Sequence, residues 1–196
     1  QMFAFSNLPE DEKENYSRKE EQYAIGYSNG KEKMRKGKID SRKESFYVDM
    51  DWNLGTKRSG SDTEVAKLIE VKIERLAAVM HRIGVMVLRT AEQGIDKDLK
   101  NGSFADRVKQ ANGTKTRLLN YSIGIDSNDQ YDDDICSWHT DSGMFTSLCS
   151  PIYFSPSEAL DVGNVPSGLF IRKDGVDHEI ELPRDGLLFQ VGELLQ

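Results

Sequence analysis

The stretch from residue 61 to residue 93 restricts the fold more than any other. Val65, Leu68, Ile69, Ile73, Leu76, Met80, Ile83 and Val87 recur at helical spacing, which lines them up along one side of a helix. Ser61 and Glu64 form a capping-box pattern, and Gly94 suits the far end. An apolar side of that length has to be covered, and a long helix with one such stripe packs on a sheet. The spacing predicts a helix over 61–93 whose Leu68, Ile69, Leu76, Met80 and Ile83 stripe meets a β-core. His81 lies within it and reads as a packing or surface residue, not as a ligand.

The chain before that helix is mixed. Residues 5–20 read as a short helix, with Ser6 or Asn7 as cap and Pro9 near its first turn. Glu10, Asp11 and Glu12 would face its positive N-terminal end. Residues 24–38 form a Gly- and Lys-rich loop without the G-x-x-x-x-G-K-[ST] pattern of a phosphate-binding loop, so a solvated loop is the simpler reading. Residues 45–48 suit a short strand.

From about residue 115 the pattern changes to short β-like runs. Residues 116–125 are one, followed by an acidic loop over 126–134. That loop ends in Asp132, Asp133 and Asp134 but lacks the spaced ligands of a Ca²⁺ loop. Strands are expected around His139 and over 148–154, 168–172, 179–182 and 187–191. Lys173-Asp174-Gly175 and Pro183-Arg184-Asp185-Gly186 serve as turns. Helices first and short strands after predict an α+β fold: residues 1–115 as a helical and loop region supporting a β-core over 116–196, a sandwich or jelly roll.

Composition narrows the function. With a net charge of -7, the chain has no basic excess for non-specific nucleic-acid binding. No apolar run approaches membrane-spanning length. Cys136 and Cys149 are too few for a disulfide framework, which points to a reducing, cytoplasmic setting. The N-x-S/T triplets at Asn15, Asn101, Asn112 and Asn120 are short enough to arise by chance. No signal peptide is recognisable, although a chain beginning at Gln1 is compatible with a removed leader.

The chemistry-bearing stretch is Trp138-His139-Thr140-Asp141-Ser142-Gly143. If it is extended, His139 and Asp141 share a face. One imidazole and one carboxylate are two of the three ligands of a facial iron site, which leaves positions open for substrate and oxygen. Taken alone, H-x-D reads more simply as a surface pair.

The wider context is more specific. "LPEDEKENYSR", "GY" near residue 26, "KESFYV" at 43–48, "RLLNYS" at 117–122, "WHTDSGMFTSL", "GLFIRKDG" and "LPRDGLLFQVGELLQ" follow one another. In that order they resemble the isopenicillin-N-synthase-like branch of the Fe(II)- and 2-oxoglutarate-dependent oxygenases. The resemblance implies a distorted double-stranded β-helix (a cupin-like jelly roll) with supporting helices. It also implies Fe(II), 2-oxoglutarate as co-substrate, ascorbate, and a small-molecule substrate oxidised with dioxygen. By the same resemblance His139 and Asp141 are metal ligands, and Tyr121 hydrogen-bonds the distal carboxylate of 2-oxoglutarate.

The family's third ligand and its keto-acid arginine are expected beyond Gln196, so this stretch by itself is expected to be truncated and inactive. His178 is the remaining candidate ligand downstream of Asp141. Ser122 stands where the family has Pro, and Leu119 where many members have Asn. A non-catalytic jelly-roll binding protein and a cupin-type Zn or Mn enzyme are the competing readings.

Overall fold

A computed structural model describes residues 2–31, 42–51, 55–57, 64–95, 102–111, 114–122, 136, 138–154 and 168–195. The capping Ser61, the acidic loop, residues 32–38 of the Gly- and Lys-rich stretch and the sequons at Asn101 and Asn112 lie outside these, and the earlier part of that stretch, expected as loop, forms a strand over Gly26–Asn29. The chain divides into two compact units, Gln1–His139 and Thr140–Gln196.

The first unit is organised on β2 (Lys43–Asp51). One edge of β2 pairs along its length with β4 (Thr114–Tyr121). The other pairs first with β1 (Gly26–Asn29) and then with β3 (Gly55–Lys57), all antiparallel. β4, expected to belong with the C-terminal strands, is thus part of the N-terminal sheet. Alternation along β2 sends Phe46, Val48 and Met50 to one face, where they are buried with Phe5, Tyr16 and Tyr27. Phe5 is the hub, its ring 5.2 Å from Tyr16, 5.5 Å from Tyr27 and 5.3 Å from Phe46.

The predicted N-terminal helix is two short ones, α1 (Met2–Ser6) and α2 (Glu10–Glu14), with a 3-10 turn at Lys19–Glu21. Pro9 caps α2, and its missing N–H cannot continue the ladder of α1. Here α2 brings Lys13 under the sheet. Its ammonium lies 2.5 Å from Glu44 Oε1 and 2.8 Å from Glu10 Oε2, and Tyr27 donates to both carboxylates. Asn120 of β4 donates to the other oxygen of Glu44 at 3.0 Å. These groups satisfy a carboxylate and an ammonium that would otherwise be costly to bury.

The long helix is present as α3 (Glu64–Ile95). Its buried side keeps part of the predicted stripe, with Ile69 buried and Met80 and Ile83 half-buried, but not the two leucines. Ile69, Ile73, Ala77, Val85 and Leu88 are buried, whereas Leu68 is 49% and Leu76 42% exposed. One residue is about 100° around a helix, so contact through Ala77 instead of Leu76 turns the stripe's bulky edge outward. Ala77 is buried with the sheet residues Phe46, Val48 and Met50 in one cluster. The second half of α3 holds α4 (Phe104–Lys109): Glu92 accepts from Ser103 Oγ and from the Ala105 amide, and Arg89 pairs with Asp106 at 2.8 Å. His81 is half-buried beside the Lys109 backbone, and burial lowers its pKa.

The second unit contains two antiparallel pairs, β5 (Phe145–Cys149) with β8 (Leu187–Val191) and β6 (Leu169–Lys173) with β7 (Val176–Ile180). The predicted turns form: Asp174 and Gly175 take left-handed φ of 51° and 80°, and Gly186 N–H closes on Pro183 O at 2.8 Å. The expected run over 148–154 is instead strand only to Cys149. Among the described residues the architecture is mixed helix and antiparallel sheet, with no closed barrel, and no helix is long and apolar enough to cross a membrane.

Candidate functional site

Residues 138–142 were expected as a strand that puts His139 and Asp141 on one face. They are irregular, and regular pairing starts at Phe145. The cause lies in the partner. After Val191 the chain turns into a 3-10 turn, Glu193–Leu195, which cannot extend a ladder. Its amides still find carbonyls: Gly192 N–H donates to Met144 O (3.0 Å), Glu193 N–H to Asp141 O (2.8 Å) and Leu194 N–H to Gly143 O (3.3 Å).

This approach depends on Gly192. A Cβ there would meet Gly143 O at 2.1 Å and Asp141 O at 2.9 Å, both backbone atoms with no freedom to retreat. The side chains join in. Gln190 Nε2 donates to Asp141 Oδ2 at 3.2 Å, and Thr140 Oγ1 bonds the Glu193 carboxylate. Asp141 is half-buried in this frame. His139 is exposed and closes the first unit, so the two predicted ligands belong to different units.

Tyr121 ends β4, directly opposite Lys43 on β2. Directly paired residues share a face, so Lys43, Ser45, Tyr47, Arg117 and Tyr121 occupy the side of this sheet opposite Phe46. The Arg117 guanidinium lies 4.7 Å from the Tyr47 ring centre and donates to Ser45 Oγ at 2.7 Å. Partial burial, and then the Cys136 thiol hydrogen-bonded beside it, push the Tyr121 phenol up to about 12, against the opposing pull of Lys43 and Arg117. At neutral pH this phenol is protonated and can donate. Sequence reading did not single out Lys43 or Arg117. The even spacing of Arg117 and Tyr121 along one strand was the available signal.

His178, the alternative ligand, sits on β7 opposite Ile171 in an exposed hairpin. Beside it, the hydrogen bond from Arg172 holds Asp177 below the usual carboxylate range. Among the described residues no three His, Cys, Asp or Glu side chains gather as a metal set. In donor type alone, one imidazole and one carboxylate are compatible with Fe(II), which a facial triad binds through two imidazoles and one carboxylate.

A cleft of about 250 Å³ lies elsewhere on the first unit, lined by Gln22, Tyr23, Ala24, Ser28, Lys31, Tyr47 and Lys115. It includes none of the predicted site residues. Comparison of the chain with protein-family models, with curated proteins and with solved structures finds no match.

Proposed function

We propose that this chain carries His139 and Asp141 as iron ligands of an Fe(II)- and 2-oxoglutarate-dependent dioxygenase of double-stranded β-helix type. The enzyme oxidises a small molecule with dioxygen in the cytoplasm. The observation that carries this reading is the junction of two family-like stretches distant in sequence. "WHTDSGMFTSL" and "LLFQVGELLQ" meet as β5 and β8, and the second supplies the hydrogen bond that holds the Asp141 carboxylate.

The roles follow from the residue types. Asp141 offsets metal charge, and His139 offers a neutral ring nitrogen. Tyr121, protonated near Lys43 and Arg117, is suited to donate to the distal carboxylate of 2-oxoglutarate. Bound iron would supply the redox chemistry that couples keto-acid decarboxylation to substrate oxidation.

The test is release of CO₂ from 2-oxoglutarate with Fe(II) and ascorbate, using the intact protein and its His139→Ala and Asp141→Ala variants. Decarboxylation that either substitution abolishes is the expected result. Turnover that survives both substitutions, or no turnover by folded, iron-loaded protein, would overturn the proposal.

A further inference from the structure

We propose that Gln190 is a positioning residue for Asp141, holding its carboxylate plane so that a metal at that carboxylate is met in a fixed orientation. The inference rests on the assignment of Asp141 as a ligand and goes beyond it, because resemblance gives Gln190 no role.

The main chain at Asp141 is fixed first. Glu193 N–H binds its carbonyl at 2.8 Å, and the neighbouring amides of Gly192 and Leu194 bind Met144 and Gly143. Gly192 permits that approach, since a Cβ would stand 2.1 Å from Gly143 O. With the Cα held, an aspartate side chain keeps two torsions. Gln190 removes the freedom of the second by donating Nε2–H to Oδ2 at 3.2 Å. Hydrogen bonds to a charged acceptor are stronger than neutral ones.

Gln190 itself is not on a mobile loop. It lies inside β8, directly opposite Thr146 of β5, so its backbone is held by the same strand pair that ends in the Asp141 frame. An uncharged amide suits the position: it orients the carboxylate without neutralising it, as a salt-bridging Lys or Arg would. Groups that orient a metal ligand in this way typically contribute about 10–100-fold to metal affinity.

The experiment is spectroscopic titration with Co(II), an oxygen-stable probe for Fe(II), on the protein and on Gln190→Met. Methionine preserves length and packing but has no donor. We expect Co(II) affinity to fall about 10–100-fold and the visible ligand-field bands at saturation to shift, with the thermal midpoint of unfolding nearly unchanged. A purely structural role would move the midpoint and leave the bands alone.

Gln190→Asn keeps an amide on β8 but withdraws it by one methylene. It should show the same loss, and it serves as the second variant should Gln190→Met not fold. Unchanged affinity and bands in a folded variant overturn the inference while leaving Asp141 as a ligand. If the unsubstituted protein binds Co(II) no better than His139→Ala/Asp141→Ala, the iron-site reading fails and the inference with it.

Discussion

The two units bury their apolar residues very differently. In the first, Phe5, Tyr27, Phe46 and Val48 are 0% exposed around a four-stranded sheet. In the second, Leu169, Phe170, Ile171 and Val176 are exposed on a two-stranded hairpin, and Phe170 alone is 45% exposed. A two-stranded pair is marginal by itself, and a third strand or a helix is normally needed to cover it. Local turn chemistry can therefore specify a hairpin without burying it, whereas an aromatic cluster requires elements distant in sequence to converge.

The largest expected effect breaks that comparison most directly. Phe46→Ala should destabilise the fold by about 3–5 kcal/mol, since it empties the centre of the aromatic cluster. Phe170→Ala should stay within about 0.5 kcal/mol, as exposed positions do. Urea unfolding of both variants measures the contrast, and equal losses would mean that the hairpin is covered in solution.

Next is the ion pair beneath the sheet. Lys13→Met leaves Glu44 buried without its ammonium and should cost about 3 kcal/mol, at the lower end for a broken buried pair because Asn120 and Tyr27 still donate. Burial alone would raise the Glu44 pKa, but hydrogen bonds, that from Lys13 foremost, outweigh it and hold the carboxyl below its ordinary 4.5. Burial alone would lower that of Lys13, but the bonds to Glu10 and Glu44 outweigh it and hold the ammonium above its ordinary 10.5.

The signs define a window. The Glu44 contribution is present above about 4.5 and is lost as pH falls through its depressed folded value. The Lys13 contribution is full below about 10.5 and is lost as pH rises through its raised folded value. Stability measured from pH 7 down to about pH 3 should therefore fall more steeply in the native chain than in Glu44→Gln. Parallel curves would remove this pair from the acid limb.

The smallest contrast sharpens the comparison within one helix. Ile73→Ala should cost about 2–4 kcal/mol, and Leu76→Ala, three residues on, less than about 1 kcal/mol. A larger loss at Leu76 would put the packing side back where the periodicity alone places it.

Much of the local structure was legible. The long helix, described from Glu64 on, the turns at Asp174-Gly175 and Pro183–Gly186 and the strand over 187–191 follow from short-range rules, and they are present in the fold. The break at Pro9 was less legible because an early proline is also compatible with one uninterrupted helix. Of the candidate site, His139, Asp141 and Tyr121 could be named from pattern. Gln190 could not, because its significance depends on a contact 49 residues away.

The sequence by itself determined the long helix, the two C-terminal turns and the chemical types of the candidate ligands. Tertiary structure decided which side of α3 is buried, because helical periodicity leaves the orientation open until a sheet selects it. It also decided that β4 pairs with β2 and that Lys13, Glu44 and Asn120 meet. Finally, it set the geometry at Asp141, where the turn after β8 replaces a regular ladder with three separate amide contacts. Short-range preferences act through neighbouring residues, whereas each of these outcomes depends on which distant surface fills the space.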